Sequence, residues 1–264
     1  MTGYVALRGD RISRVYGTRR TAFTAVKPVD FEVNSESAIG IVGESGSGKS
    51  TLTRMLVGLE RVTTGSVTYN AAPITRFIQT HAGRLDFRRA VQFVGQDTSS
   101  SFDPRRTLRD SVATPLKVLL GSTGSEAEDR IVEVLRLLQL DPAQLRRYPG
   151  EVSGGQRQRF ALARALVVRP RILLCDEVVS ALDVSVQGAV LNVIKEYRET
   201  NQVGLAFVSH GLPATSFLAR ELVVMCRGEI VERGETAQVL HEPRHPYTAK
   251  LLGASLRRRR VAAR

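Results

Sequence analysis

One short segment constrains this chain more than any other: Gly43-Glu44-Ser45-Gly46-Ser47-Gly48-Lys49-Ser50-Thr51. The run before it, Ala38-Ile39-Gly40-Ile41-Val42, is short and apolar, as a buried strand is. A helical pattern follows from Lys49 to about Leu59. Glycines between a strand and a helix let backbone N–H groups converge on an anion without Cβ clashes. The helix that starts there adds the positive end of its dipole. With Gly43 first and Gly48-Lys49-Ser50 last, the spacing is that of a phosphate-binding loop. In such a loop Lys49 reaches the β and γ phosphates of a nucleotide, and the Ser50 hydroxyl ligates Mg²⁺.

The rest of the chain supplies the frame such a loop needs. Ile172-Leu173-Leu174-Cys175 reads as a second buried strand, closed by Asp176-Glu177. Leu205-Ala206-Phe207-Val208 reads as a third, ending at Ser209-His210. Leu222 to Met225 reads as a fourth, followed by a turn at Arg227-Gly228 and by Ile230-Val231. Between the second and third, Val186, Val190, Val193, Ile194 and Tyr197 share one helical face. Strands alternating with helices imply an α/β fold with a mostly parallel sheet. From about 98 to 168 the pattern is helical throughout, which reads as a helical insertion. It contains an amphipathic helix on Ile131, Val134, Leu135 and Leu138, with Ser125 expected as its cap, and a helix from about Gly155 to Val167. The first 35 residues and Gly65–Tyr69 alternate as strands do, so a small antiparallel part is expected near the N-terminus.

Composition narrows the partners. No run reaches the roughly 18 to 20 apolar residues that span a bilayer, and Met1–Asp10 lacks the apolar core of a secretory signal. The expected location is the cytosol, or a membrane reached through partners. Cys175 and Cys226 lie in apolar segments and read as small core residues. The net charge is +12, part of it in the tail arginines Arg257–Arg260 and Arg264. That tail reads as solvated, with contact to anionic headgroups as the alternative. Few aromatics lie near it, so a base-stacking surface for nucleic acid is not expected.

Two more motifs carry chemistry. Asp176, closing an apolar strand, is placed to hold Mg²⁺ through water, and Glu177 to polarise an attacking water. Ser153-Gly154-Gly155-Gln156 opens a helix with a hydroxyl and free N–H groups, a second anion cradle without a lysine of its own. It reads either as half of a nucleotide site in another subunit or as an ordinary helix cap.

In this order the motifs resemble those of the nucleotide-binding subunits of ABC transporters, over nearly the whole chain. The resemblance implies a P-loop NTPase (RecA-like) core with a helical subdomain at about 98–168, a small N-terminal antiparallel β subdomain and a C-terminal extension at about 236–264. Gly43 to Thr51 then holds ATP. Gln96 resembles the glutamine that ligates Mg²⁺ and senses the membrane subunit. Ser153, Gly154, Gly155 and Gln156 resemble the signature that completes a partner's ATP site. Asp183, in Ser180-Ala181-Leu182-Asp183, resembles the D-loop aspartate, His210 the switch histidine and Tyr16 the aromatic that stacks on adenine.

Phe102-Asp103-Pro104 and His245-Pro246-Tyr247-Thr248 are similar to segments of the peptide/nickel importer class. The latter has no catalytic logic in the sequence and reads as a turn with an aromatic anchor before a short helix. The implied protein is a Mg²⁺-dependent ATPase at the cytoplasmic side of the cell membrane that powers import of peptides or related solutes. Its implied partners are permease subunits, a second ABC ATPase and, indirectly, a solute-binding protein. The alternative is a soluble ABC-type ATPase of a multi-enzyme complex, such as carbon–phosphorus lyase. The chain departs from the family pattern at Gly95, Thr98, Val152, Val178 and Gly211. None of these removes a phosphate, metal or water ligand, and Gly211 is expected to loosen the loop after His210.

Overall fold

A computed structural model describes residues 4–18, 20–98, 100–180 and 182–262. Ala181 and Arg264 lie outside the described residues, and the side chains of Arg257–Arg260 are not described. The chain divides into two compact units, Met1–Arg76 with Gly204–Arg264, and Phe77–Val203.

The first unit carries two sheets. β1 (Ala6–Tyr16) and β2 (Phe23–Asn34) are long antiparallel strands. β3 (Ala38–Val42) follows and leads into α1 (Lys49–Leu56). β4 (Thr64–Tyr69) pairs antiparallel with β1, and the short β5 (Ala72–Pro73) with β4, in the order β2-β1-β4-β5. This is the antiparallel part anticipated from the alternating N-terminal pattern. α1 stops three residues before the expected Leu59, where Gly58 turns the chain with a φ of 69°.

At the chain's far end, β8 (Gly204–Val208) lies parallel to one side of β3, and β9 (Glu221–Cys226) parallel to the other; β10 (Glu229–Glu235) closes antiparallel on β9. Every residue of β3 and β8 is buried, which is why both read as unbroken apolar runs. α8 (Leu212–Leu218) follows β8, α9 (Thr236–His241) follows β10, and α10 runs from Pro246 to Ala262.

The second unit, 77–203, begins within α2 (Ile74–Ile78) and continues through α3 (His81–Ala90) and β6 (Val91–Val94). α4 (Leu108–Pro115), α5 (Ser125–Leu137) and α6 (Gly154–Leu166) follow, with no strand among the described residues between β6 and β7 (Ile172–Asp176). β7 pairs parallel with β6, and α7 (Val184–Asn201) ends the unit. The apolar stripes fall where periodicity put them, except that Val186 is only half-buried. Ile131, Val134 and Leu135 of α5 are buried, and so are Val190, Val193, Ile194 and Tyr197 of α7. The Tyr197 hydroxyl donates to Leu166 O at 2.9 Å, tying α7 to the end of α6. Ser125 is not the cap of α5. It is the first helical residue, and Gly124, with a φ of 73°, turns the chain into the helix without a side-chain bond.

Gly211 is tied into its loop by hydrogen bonds on both sides. Its N–H donates to Ser209 Oγ at 3.0 Å, and its carbonyl accepts from Thr215 N at 3.1 Å and Thr215 Oγ1 at 3.0 Å. It sits at the N-cap of α8 in an extended conformation open to any residue. Aspartate there would cap the helix, so Gly211→Asp should raise the unfolding free energy by a few tenths of a kcal/mol. Phe207, wholly buried in β8, is the opposite case. Phe207→Ala should lose about 3–5 kcal/mol. Urea denaturation midpoints at a common m-value read both effects.

Candidate functional site

The loop after β3 is shaped by close approach. Gly43 has a φ of 156° and Gly48 one of 102°. A Cβ at Gly43 would collide with the carbonyl of Met225, at the end of β9, and one at Gly48 with the carbonyl of Ala25, in β2. The Gly228 N–H, in the turn between β9 and β10, donates to Ser47 O at 3.0 Å. Neighbouring strands therefore dictate the path of the loop. α1 begins with Gly48 at its N-cap and no side chain capping it, so the first N–H groups of the helix face the loop.

Lys49 is buried inside this turn. Its ammonium donates to Gly43 O and Glu44 O at 2.9 Å each and lies 3.4 Å from Ser47 Oγ. His210, following β8, brings Nδ1 to 3.5 Å from Lys49 Nζ and 3.4 Å from Gly43 O. The structure thus gathers Gly43, Glu44, Ser47, Lys49 and His210 into one knot. Ser45 and Gly46 form its exposed rim; Ser50 and Thr51 lie half-buried in the first turn of α1. Tyr16, at the end of β1, is half-buried, and its ring contact is with the Arg14 guanidinium, 4.4 Å from the ring centroid. Arg14 is in turn held by Glu60 at 2.6 Å.

The remaining candidates lie in the second unit. Asp176 ends β7 with no exposure, and Glu177 is 5% exposed. Glu177 adopts a φ of 55°, a left-handed conformation that costs a non-glycine residue on the order of 1 kcal/mol. The turn behind it is closed by Ser180, whose hydroxyl donates to Glu177 O at 2.8 Å. Asp183 is exposed at the N-cap of α7 and makes no side-chain capping bond. Gln96 is exposed after β6, in a segment fastened to α6. Gln158 Nε2 donates to Gly95 O at 3.5 Å, and Arg164 bonds Ser101 O while lying 4.6 Å over the Phe102 ring.

Ser153 opens α6 with a reciprocal cap: Gln156 N donates to Ser153 Oγ at 3.2 Å, and Ser153 N to Gln156 Oε1 at 2.9 Å. Gly154 is exposed, and a Cβ there would meet nothing within 4 Å. Among the described residues, nothing requires glycine at that position.

As to a metal, Ser50 in the first unit carries a hydroxyl, and Asp176 and Gln96 in the second a carboxylate and an amide oxygen, each a hard donor of the kind Mg²⁺ takes. Among the described residues, no group of three or more His, Cys, Asp or Glu could hold a metal ion. Burial pushes the Cys175 thiol far above its ordinary range, and the Asp176 charge adds to the effect, so that sulfur is inert. Cys226, read as core, is only half-buried at the end of β9.

Sequence reasoning missed Arg14 and Arg164, because each acts through a contact that no spacing reports. Tyr247 was visible as an anchor without a target. Its hydroxyl accepts the Glu44 N–H at 3.0 Å, and α10, which it helps to start, is longer than the short helix expected there.

Residues 26–180 match the family model described as ABC transporter. The chain is 37% identical over 230 residues to the oligopeptide transport ATP-binding protein OppF of Lactococcus lactis, covering 87% of this chain and 72% of that one. It is 40% identical over 231 residues to the glutathione import ATP-binding protein GsiA of Escherichia coli O157:H7, covering 87% of this chain and 37% of GsiA. Among solved structures, the dimeric structure of a bacterial ABC transporter cassette superposes with a TM-score of 0.80 at 25% identity, covering 87% of this chain and 98% of that one. A post-hydrolysis form of that cassette, bound to ADP and Pi, superposes with a TM-score of 0.79 at 25% identity. With its P-loop, its α/β fold and these relatives, the chain belongs to the ABC transporter family.

Proposed function

We propose that this chain is the ATP-binding, ATP-hydrolysing subunit of a membrane importer for peptides or related small solutes. The observation that carries the reading is the knot around Lys49. A buried ammonium, held by the carbonyls of Gly43 and Glu44, stands in a glycine turn at the uncapped start of a helix. That is the electrostatic setting for a polyphosphate. The relatives named above, an oligopeptide transport and a glutathione import ATP-binding protein, support the substrate class.

In this reading Gly43, Glu44, Ser45, Gly46, Ser47, Gly48, Lys49, Ser50 and Thr51 hold the phosphates, with Lys49 exchanging part of its carbonyl shell for phosphate oxygen. Tyr16 offers a ring face to adenine. Ser50, Asp176 and Gln96 would hold Mg²⁺, which would neutralise charge on the β and γ oxygens. Glu177 takes a proton from the attacking water. The water oxygen bonds to the γ-phosphorus, the bond to the β–γ bridging oxygen breaks, and its electron pair leaves with ADP. His210 supports the γ-phosphate from beside Lys49.

Ser153, Gly154, Gly155 and Gln156 complete the ATP site of a second ATPase subunit, and Asp183 belongs to the same junction. The open space at Gly154 supports this, because a glycine that no described residue requires fits the close approach of something outside. The whole chain, 1–264, forms one nucleotide-binding domain, with 98–168 as its helical subdomain and 236–264 as its C-terminal extension. No described helix is long and apolar enough to cross a membrane. As an importer ATPase the subunit would reach the cytoplasmic face through permease subunits, which a solute-binding protein serves.

Lys49→Ala should abolish measurable ATP binding and hydrolysis. Glu177→Gln should keep ATP binding and lower the hydrolysis rate about 10²–10⁴-fold, accumulating an ATP-bound dimer on size exclusion. Hydrolysis at the unmutated rate by the second variant would remove Glu177 from the chemistry. The transport role is tested by pull-down of the tagged protein from detergent-solubilised membranes. A permease pair and a second ATPase are the expected companions, and soluble enzymes alone would overturn import.

A further inference from the structure

The function above leaves His245-Pro246-Tyr247-Thr248 without a task, yet the structure builds this segment with care. Glu232, in β10 and 8% exposed, accepts the N–H of Arg244 at 2.8 Å and that of His245 at 3.0 Å. The Tyr247 N–H is taken by His245 Nδ1 at 3.2 Å. Pro246, with no N–H to satisfy, opens α10. One buried carboxylate and one imidazole thus fix where α10 starts.

From that origin Tyr247, Leu251 and Leu252 pack against a cluster that includes Val42, Leu222, Val224 and Val239. Val42 is the last residue of β3, directly before the phosphate loop. The Tyr247 ring is therefore placed below the loop, and its hydroxyl accepts the Glu44 N–H from 203 positions along the chain. Burial pushes the phenol above its ordinary range, so it remains a neutral hydroxyl near pH 7. With Gly228 N–H on Ser47 O, the loop is fastened at two points on its outer side. Between them lies a cavity of about 310 Å³ lined by Glu44, Ser47, Cys226, Arg227, Tyr247 and Lys250.

We propose that Tyr247 is a positioning residue for the phosphate loop. The C-terminal segment latches Glu44, so that the loop is preorganised for nucleotide and a displacement of α10 lowers nucleotide affinity. This rests on the reading of Gly43–Thr51 as the ATP loop. A latch of this kind acts on binding and leaves the reacting groups alone. Losing one neutral hydrogen bond that preorganises a site should weaken binding about three- to tenfold.

The test compares the unmutated full chain, Tyr247→Phe and Lys49→Ala by equilibrium ATP binding and steady-state hydrolysis. Tyr247→Phe keeps the ring and its packing. It should raise Kd and KM for ATP about three- to tenfold with kcat within twofold. A purely structural role would instead lower the melting temperature and leave KM alone. Amide exchange of the unmutated chain gives a readout that needs no variant: the Glu44 N–H should exchange more slowly than those of Ser45 and Gly46. Unchanged KM in Tyr247→Phe, or a fast Glu44 amide, would overturn the latch while Lys49→Ala still failed to bind. ATP binding by Lys49→Ala at unmutated affinity would overturn the reading of the loop itself.

Discussion

Two backbone carbonyls, Met225 O against Gly43 and Ala25 O against Gly48, leave the phosphate loop almost no choice of path. Each belongs to a different sheet. Met225 arrives because β9 runs parallel to β3 with Val224 opposite Val42, which brings the end of one strand beside the exit of the other. Ala25 arrives because β2 belongs to the antiparallel sheet of β1, β4 and β5. Two ordinary sheets thus converge on one turn, and the helix dipole and the Lys49 ammonium are aimed by that convergence.

The two glycine-rich helix starts solve the same problem differently. At α1 the N-cap is Gly48, which has no side chain to offer the first N–H groups, and a buried lysine stands nearby. At α6 the Ser153 hydroxyl already accepts one of the helix N–H groups, that of Gln156. What α6 has left to offer is the exposed backbone of Gly154 and the room around it. The first arrangement favours a high concentration of negative charge. The second suits a surface that is completed from outside. Sequence alone left the second motif open between a partner's site and a plain helix cap; the structure adds that Ser153 does cap its own helix.

Much of the fold was legible because burial on both faces writes itself as apolar runs. β3, β7, β8 and β9 were visible for that reason, and so were the stripes of α5 and α7. β6 escaped, since four residues with Gln92 among them carry no strand signal. α3 escaped too, with Gly83 and three arginines diluting its pattern. The cap of α5 was misplaced by one residue because Ser125 is a common capping residue, while the turn required the positive φ of Gly124. Among site residues, motif order located Gly43 to Thr51 and His210, and the structure joins Lys49 to His210. The role of Tyr247 was illegible, because a contact across 203 positions leaves no periodicity, and Arg14 and Glu232 act through contacts that no motif marks.

The two cysteines end up in opposite circumstances. Cys175 is sealed in β7 with its thiol held protonated, out of reach of alkylating reagents. Cys226 borders the cavity between the phosphate loop and Tyr247. A small maleimide or fluorophore should therefore attach at a single sulfur, beside the loop read as the phosphate cradle. The unaltered chain carries its own labelling handle, and emission from a dye at Cys226 would report any displacement of α10 against the loop in real time.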